Sequence, residues 1–96
     1  MTGAFAVAAD GCRIAFGGVW LSLTRYEYGL LAALLERPGR VLSRAQLMER
    51  VWRDAGESFE RTVDAHVKTL RAKLRAVRDG DVIETHRGLG YSVRVR

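Results

Sequence analysis

An α+β domain is what three patterns in this sequence predict: an N-terminal antiparallel sheet, three central helices and a C-terminal β-hairpin. Turn dipeptides at Asp10-Gly11 and Gly17-Gly18 divide the first 23 residues into short apolar runs. Two S/T-x-x-E/Q capping boxes, Thr24 to Glu27 and Ser43 to Gln46, mark helix starts. Val63, Val67, Leu70, Leu74 and Val77 recur at spacings of four, three, four and three, the period of an amphipathic helix.

Taken in order, residues 1–23 carry the runs Phe5 to Val7, Arg13 to Phe16 and Val19 to Leu23, read as strands. Residues 24–37 form the first helix, in which Tyr26, Leu30, Leu31, Leu34 and Leu35 keep helical spacing and Pro38-Gly39 imposes the stop. Residues 43–52 form a short helix around Leu47, Met48 and Val51, and the polar stretch 53–58 is a loop. The longest helix covers 59–77, ended by Asp79, Gly80 and Asp81. Residues 82–96 hold two alternating runs, Val82 to Thr85 and Tyr91 to Val95, about a turn at Gly88, Leu89 and Gly90, so they pair as a hairpin. Nothing resembling a linker or repeat interrupts the 96 residues, which are expected to be one domain.

The bulk properties narrow the function classes. Net charge is +5, and it is not spread evenly. Residues 1–58 carry seven Lys/Arg against six Asp/Glu, whereas 59–96 carry nine against five. A basic second half suits a polyanionic partner, nucleic acid or membrane surface. Cys12 is the single cysteine, so no internal disulfide can form; a cytoplasmic, reducing setting is expected, with Cys12 a small side chain in an N-terminal strand. The apolar run 4–9 lacks the preceding cations of a signal peptide, and 29–35 is far short of the ~20 residues that span a bilayer.

The third helix is the informative element. With Val63 at zero and 100° per residue, the apolar stripe stays within about 40° of zero. Arg61, Ala65, Lys68, Ala72 and Arg75 then lie at about 120–200°. Cations alternating with alanines let a helix approach a groove closely while Lys and Arg reach phosphates or base edges; a solvated helix face is the alternative. Thr62, His66, Thr69 and Lys73, at about 240–300°, are donors suited to phosphate oxygens. A capped short helix, a loop, a long basic helix and a hairpin together describe a winged helix–turn–helix, whose long helix enters the major groove. Arg87 at the hairpin tip is then the natural minor-groove probe.

The residues that fill this frame resemble a known family. Leu23, Thr24, Glu27, Leu30 and Leu31, then Pro38 to Arg44 and Leu47, then Val51-Trp52 are similar to the C-terminal effector domain of OmpR/PhoB-type response regulators. So are Glu60 to His66, Leu70, Arg71, Lys73, Leu74, Thr85, Arg87, Gly88, Gly90 and Tyr91. The blocks run in order from about Leu21 to Arg94, while the first 20 residues fit only loosely. Thr85 to Gly88 and Lys68 to Arg75 look most like the carbon-source-responsive CreB branch.

The resemblance implies sequence-specific binding of double-stranded DNA for transcription regulation. It implies base-edge contacts from Asp64, Ala65, Lys68 and Thr69. Phosphate contacts fall to Trp52, Arg61, Thr62, His66, Arg71, Lys73 and Thr85, with Arg87 on the wing. It also implies tandem head-to-tail binding to direct repeats and RNA polymerase contact through loop 53–58. Ala65 and His86 stand where the family usually has valine, which bears on sequence preference. Relatives carry a phosphorylated receiver domain ahead of this one, through which a histidine kinase signals. No acidic pocket or phosphoacceptor Asp in a βαβ context precedes this domain, so an excised or stand-alone effector is expected.

Rival classes are weaker. Cys12, His66 and His86 fall on separate elements without metal-ligand spacing, and Gly88-Leu89-Gly90 lacks the Lys and Ser/Thr of a phosphate loop, so no enzyme, metal or cofactor is expected. A winged helix used as a protein-interaction module is the alternative. It would show exposed aliphatics or aromatics where this helix has Arg61, Lys68 and Arg75. Membrane adsorption lacks bulky apolar anchors on that face, and RNA reading lacks stacking aromatics.

Overall fold

The computed structural model describes residues 5–8, 13–52, 60–78 and 80–94. Its elements run β1 (Phe5–Val7), β2 (Ile14–Phe16), β3 (Val19–Trp20), α1 (Arg25–Glu36), α2 (Arg44–Val51), α3 (Glu60–Val77), β4 (Ile83–His86) and β5 (Gly90–Val93). The α+β winged architecture expected from the sequence is the one observed. The expectations for Asp10-Gly11, Cys12, loop 53–58, Asp79 and Val95 lie outside the described residues.

β1, β2 and β3 pair antiparallel in chain order, with Phe5 opposite Phe16 and Phe16 opposite Val19 across the Gly17-Gly18 turn. All of β2 is buried, and the Phe5 and Phe16 rings stack 4.6 Å apart. β3 instead exposes both Val19 and Trp20, and the Arg13 guanidinium lies 4.5 Å from the Trp20 ring centroid.

Both expected caps form. The Thr24 hydroxyl accepts from the Glu27 N–H at 3.2 Å while the Glu27 carboxylate accepts from the Thr24 N–H at 2.9 Å. Ser43 and Gln46 repeat the exchange at the start of α2, at 3.0 and 2.8 Å. Each exchange satisfies amides that a helix start leaves open.

The core gathers Leu30, Leu31 and Leu34 of α1, Leu47 of α2 and Val63, Val67, Leu70 and Leu74 of α3, with Ile83 and Val93 of the hairpin. The apolar stripe of α3 is its centre: Val63, Val67, Leu70 and Leu74 are all essentially fully buried. Leu70→Ala is therefore expected to cost about 2–4 kcal/mol, read from denaturant midpoints. A variant unfolding at the parent's midpoint would contradict this placement.

The hairpin pairs Ile83 with Val93, Glu84 with Ser92, Thr85 with Tyr91 and His86 with Gly90. One feature differs from the sequence expectation of alternating burial. All four residues of β5 are buried. The cause is a second neighbour: Leu42, between α1 and α2, exchanges two 2.9 Å backbone hydrogen bonds with Tyr91, and the Gly39 N–H donates to the Val93 carbonyl. β5 is thus paired along both edges, and α1 lies against it as well.

Candidate nucleic-acid interface

α3 carries three kinds of surface around its buried stripe, and each is treated differently by the rest of the chain. On the flank at about 240–300°, Lys73, Thr69 and His66 are held towards α1. Lys73 Nζ donates to Glu27 Oε1 at 2.5 Å and to the Ser22 carbonyl at 2.7 Å. Thr69 Oγ1 lies 2.5 Å from Glu27 Oε2 and 3.0 Å from the His66 carbonyl, so its single proton serves one or the other. The His66 ring sits 5.4 Å from both Tyr26 and Trp52, which themselves stack at 4.8 Å. Thr62, half-buried, completes this flank.

On the opposite flank, at about 80–100°, α3 is fastened to α2 and the wing. Arg71 donates to the Ile83 carbonyl at 2.8 and 3.2 Å and to Thr85 Oγ1 at 2.6 Å. Its guanidinium also lies 5.7 Å from the Tyr91 ring centroid. Asp64 accepts from Arg44 at 3.0 Å and from the Tyr91 hydroxyl.

Between these flanks, Arg61, Ala65, Lys68, Ala72 and Arg75 are all exposed. Arg75 pairs with Asp81 at 2.6 Å, which holds the Asp81 carboxyl below its ordinary range. Arg87 is exposed at the tip of the wing, beside exposed Leu89. His86, one residue earlier, shares a 2.7 Å hydrogen bond with buried Ser92.

The residues that the sequence offered as DNA contacts therefore separate by position. Arg61, Ala65, Lys68 and Arg87 face solvent, and Thr62 is half-buried on the α1 flank. Trp52 is 6% exposed and belongs to the core beneath His66. Asp64, Arg71 and Lys73 have their polar atoms engaged inside the chain, as do Thr69 and Thr85. Asp64, Arg71 and Lys73 owe their place in the second group to partners from distant elements, which wheel geometry on one helix does not contain.

Glu27 is the consequential residue legible in the sequence only as half of a cap. It is 2% exposed and receives Lys73, Thr69 and the Thr24 N–H. Burial alone would raise its pKa; the Lys73, Thr24 and Thr69 hydrogen bonds and the Lys73 charge outweigh that and lower it to about 2. Tyr91 moves the other way, to about 12, through burial and then the Asp64 hydrogen bond and charge. Among the described residues no group of three or more His, Cys, Asp or Glu could hold a metal ion. Among the same residues, no helix is long and apolar enough to cross a membrane.

Known proteins share this arrangement. The chain is 54% identical over 93 residues to the transcriptional regulatory protein CreB of Escherichia coli strain K12, a match covering 96% of this chain and 41% of that protein. The chain thus spans less than half the length of the curated relatives it matches. The DNA-binding domain of the response regulator AdeR, solved in complex with an intercistronic region, superposes with a TM-score of 0.89 at 28% identity, covering 98% and 97% of the two chains. The DNA-binding domain of CpxR from E. coli superposes with a TM-score of 0.80 at 30% identity, covering 98% and 93%. The family described as "Transcriptional regulatory protein, C terminal" matches residues 18–93. With the winged fold and that match in agreement, the chain belongs to the family of transcriptional regulatory protein C-terminal domains.

Proposed function

We propose that this domain binds double-stranded DNA sequence-specifically, as the output domain of a two-component response regulator, with α3 in the major groove and the β4–β5 wing on the adjoining backbone and minor groove. The observation that carries the reading is the outer face of α3: exposed Arg61, Ala65, Lys68, Ala72 and Arg75 in a row, without a bulky apolar side chain among them. A surface made to dock protein would present aromatics or aliphatics there.

The roles follow from reach. Lys68, beside the small Ala65, reads base edges, with Thr69 at the margin of the same face. Arg61, Thr62 and His66 meet phosphates, and Arg87 enters the minor groove next to Thr85. Trp52, Arg71 and Lys73 act from beneath, by holding α3 and the wing in place. Two copies bind head to tail on direct repeats, in keeping with the family resemblance.

Selection of tight binders from a random duplex pool tests this. Two enriched half-sites in one orientation, about one helical turn apart, are expected. Absence of any enrichment in a folded domain would overturn the reading. If each domain neutralises about six phosphates, log K falls with log salt at a slope of roughly −5. Arg61→Ala is expected to weaken all duplexes alike and flatten that slope by about one unit, whereas Lys68→Ala relaxes preference at particular base pairs.

A further inference from the structure

Asp64 stands where α2, α3 and the wing meet. Its Oδ2 takes Arg44 from the first turn of α2 at 3.0 Å, and its Oδ1 takes the hydroxyl of Tyr91 from β5. Tyr91 is itself fixed, 8% exposed, with its backbone paired to Leu42 and its ring beneath Arg71. A cleft of about 230 Å³ opens at this junction, and Arg44, Asp64, Thr85, His86 and Arg87 line it.

Stability is not a sufficient account of this arrangement. The Arg44 and Asp64 side chains are 42% and 40% exposed, and ion pairs at such sites contribute about 0–1 kcal/mol. The direction of the carboxylate is also set within the chain: Arg44 engages one oxygen and Tyr91 the other, so the fold, and not a base, fixes how it points. What the two bonds do fix is the offset between the recognition helix and the wing, the two elements that enter neighbouring grooves in the reading above.

We propose that Asp64 is a positioning residue for specificity: through Tyr91 and Arg44 it locks the wing and α2 to the recognition helix, so that only DNA whose groove spacing matches that fixed offset engages Lys68 and Arg87 together. This rests on the DNA-binding reading. A loosened lock still lets cations reach phosphates, so non-specific affinity persists while discrimination falls. The carboxylate also holds the Arg44 charge in a defined direction instead of leaving it to follow any phosphate.

The test measures the affinity of the 96-residue chain for its best selected duplex, for each single-base-pair variant of that duplex and for a scrambled duplex. Asp64→Asn and Tyr91→Phe are near-isosteric, and melting curves confirm that both remain folded. Each is expected to lower the ratio of selected to scrambled affinity about tenfold, spread over both half-groove contacts, with the double variant no worse than either single one because both break one lock. An Asp64→Asn effect confined to one base pair and additive with Tyr91→Phe would make Asp64 a direct base reader and overturn the proposal. So would an unchanged ratio in both variants. A parent domain that distinguishes no duplexes would instead remove the DNA-binding reading, and this inference with it.

Discussion

Lys73→Met is expected to destabilise the domain by about 3 kcal/mol or more, the range found when one partner of a buried charge pair is removed. The asymmetry lies in who is left behind. Lys73 is partly exposed and could turn to water, but Glu27 is 2% exposed and keeps only the Thr24 N–H and the Thr69 hydroxyl. For a domain of this size the loss corresponds to roughly 12–24 °C in melting temperature. Glu27→Leu combined with Lys73→Met removes both charges and is expected to recover much of the loss, because buried ion pairs are often replaceable by packed apolar groups. A double variant as unstable as the single one would show that the hydrogen bonds to Thr24 and Thr69, not the uncompensated charge, dominate.

The same pair sets the acid limit of the fold. Glu27 has an ordinary pKa of 4.5 and is lowered to about 2 in the folded chain. A depressed carboxyl contributes stability that is present above its unfolded pKa and lost as pH falls towards the folded one. The parent is therefore expected to lose on the order of 3 kcal/mol between about pH 5 and pH 2. The Glu27→Leu, Lys73→Met chain should lack that component, which urea midpoints measured across this range would reveal.

Local signals account for most of what the sequence made legible. Capping boxes at Thr24 and Ser43, the Gly17-Gly18 turn and the α3 stripe each depend on residues within a few positions of one another, and each is found where those residues stand. The outer face of α3 was legible for the same reason, being one helix and one period. What stayed hidden are relations across the chain. Nothing local ties Lys73 to Glu27, Asp64 to Tyr91 or Leu42 to β5, with sequence separations of 46, 27 and 49 residues. Those ties decide which polar side chains remain available to a ligand. A helical wheel offers both Lys68, on the outer face, and Lys73, on the flank, to DNA; the fold exposes one and spends the other on Glu27.

Gly90→Ala is the second substitution expected to act strongly, and it acts through backbone alone. A Cβ at Gly90 would stand 2.0 Å from the Leu42 carbonyl oxygen and 2.8 Å from the Ser43 Cα, with φ at +144°. The obstacle is main chain, so no side-chain rotation relieves it. Either the wing moves away from the segment that joins α1 to α2, or that segment moves and takes the Ser43 cap of α2 with it. Strain of this kind, added to overpacking, amounts to roughly 2–5 kcal/mol. Gly88→Ala, two residues earlier in the same turn, has φ at +76° but nothing within 4 Å of its added Cβ. It should cost only about 1–2 kcal/mol, the conformational penalty by itself. The two melting curves therefore separate close approach from backbone preference. Their DNA affinities should separate as well. Gly88→Ala leaves the paired strands and the Tyr91 to Asp64 bond in place, so binding to a selected site should change little. Gly90→Ala disturbs the Leu42 to Tyr91 pairing that seats β5, so a chain still folded at low temperature is expected to lose preference for that site while retaining salt-dependent affinity for any duplex. Equal melting temperatures for the two variants would mean that the wing gives way at Leu42 more easily than a 2.0 Å approach to backbone allows.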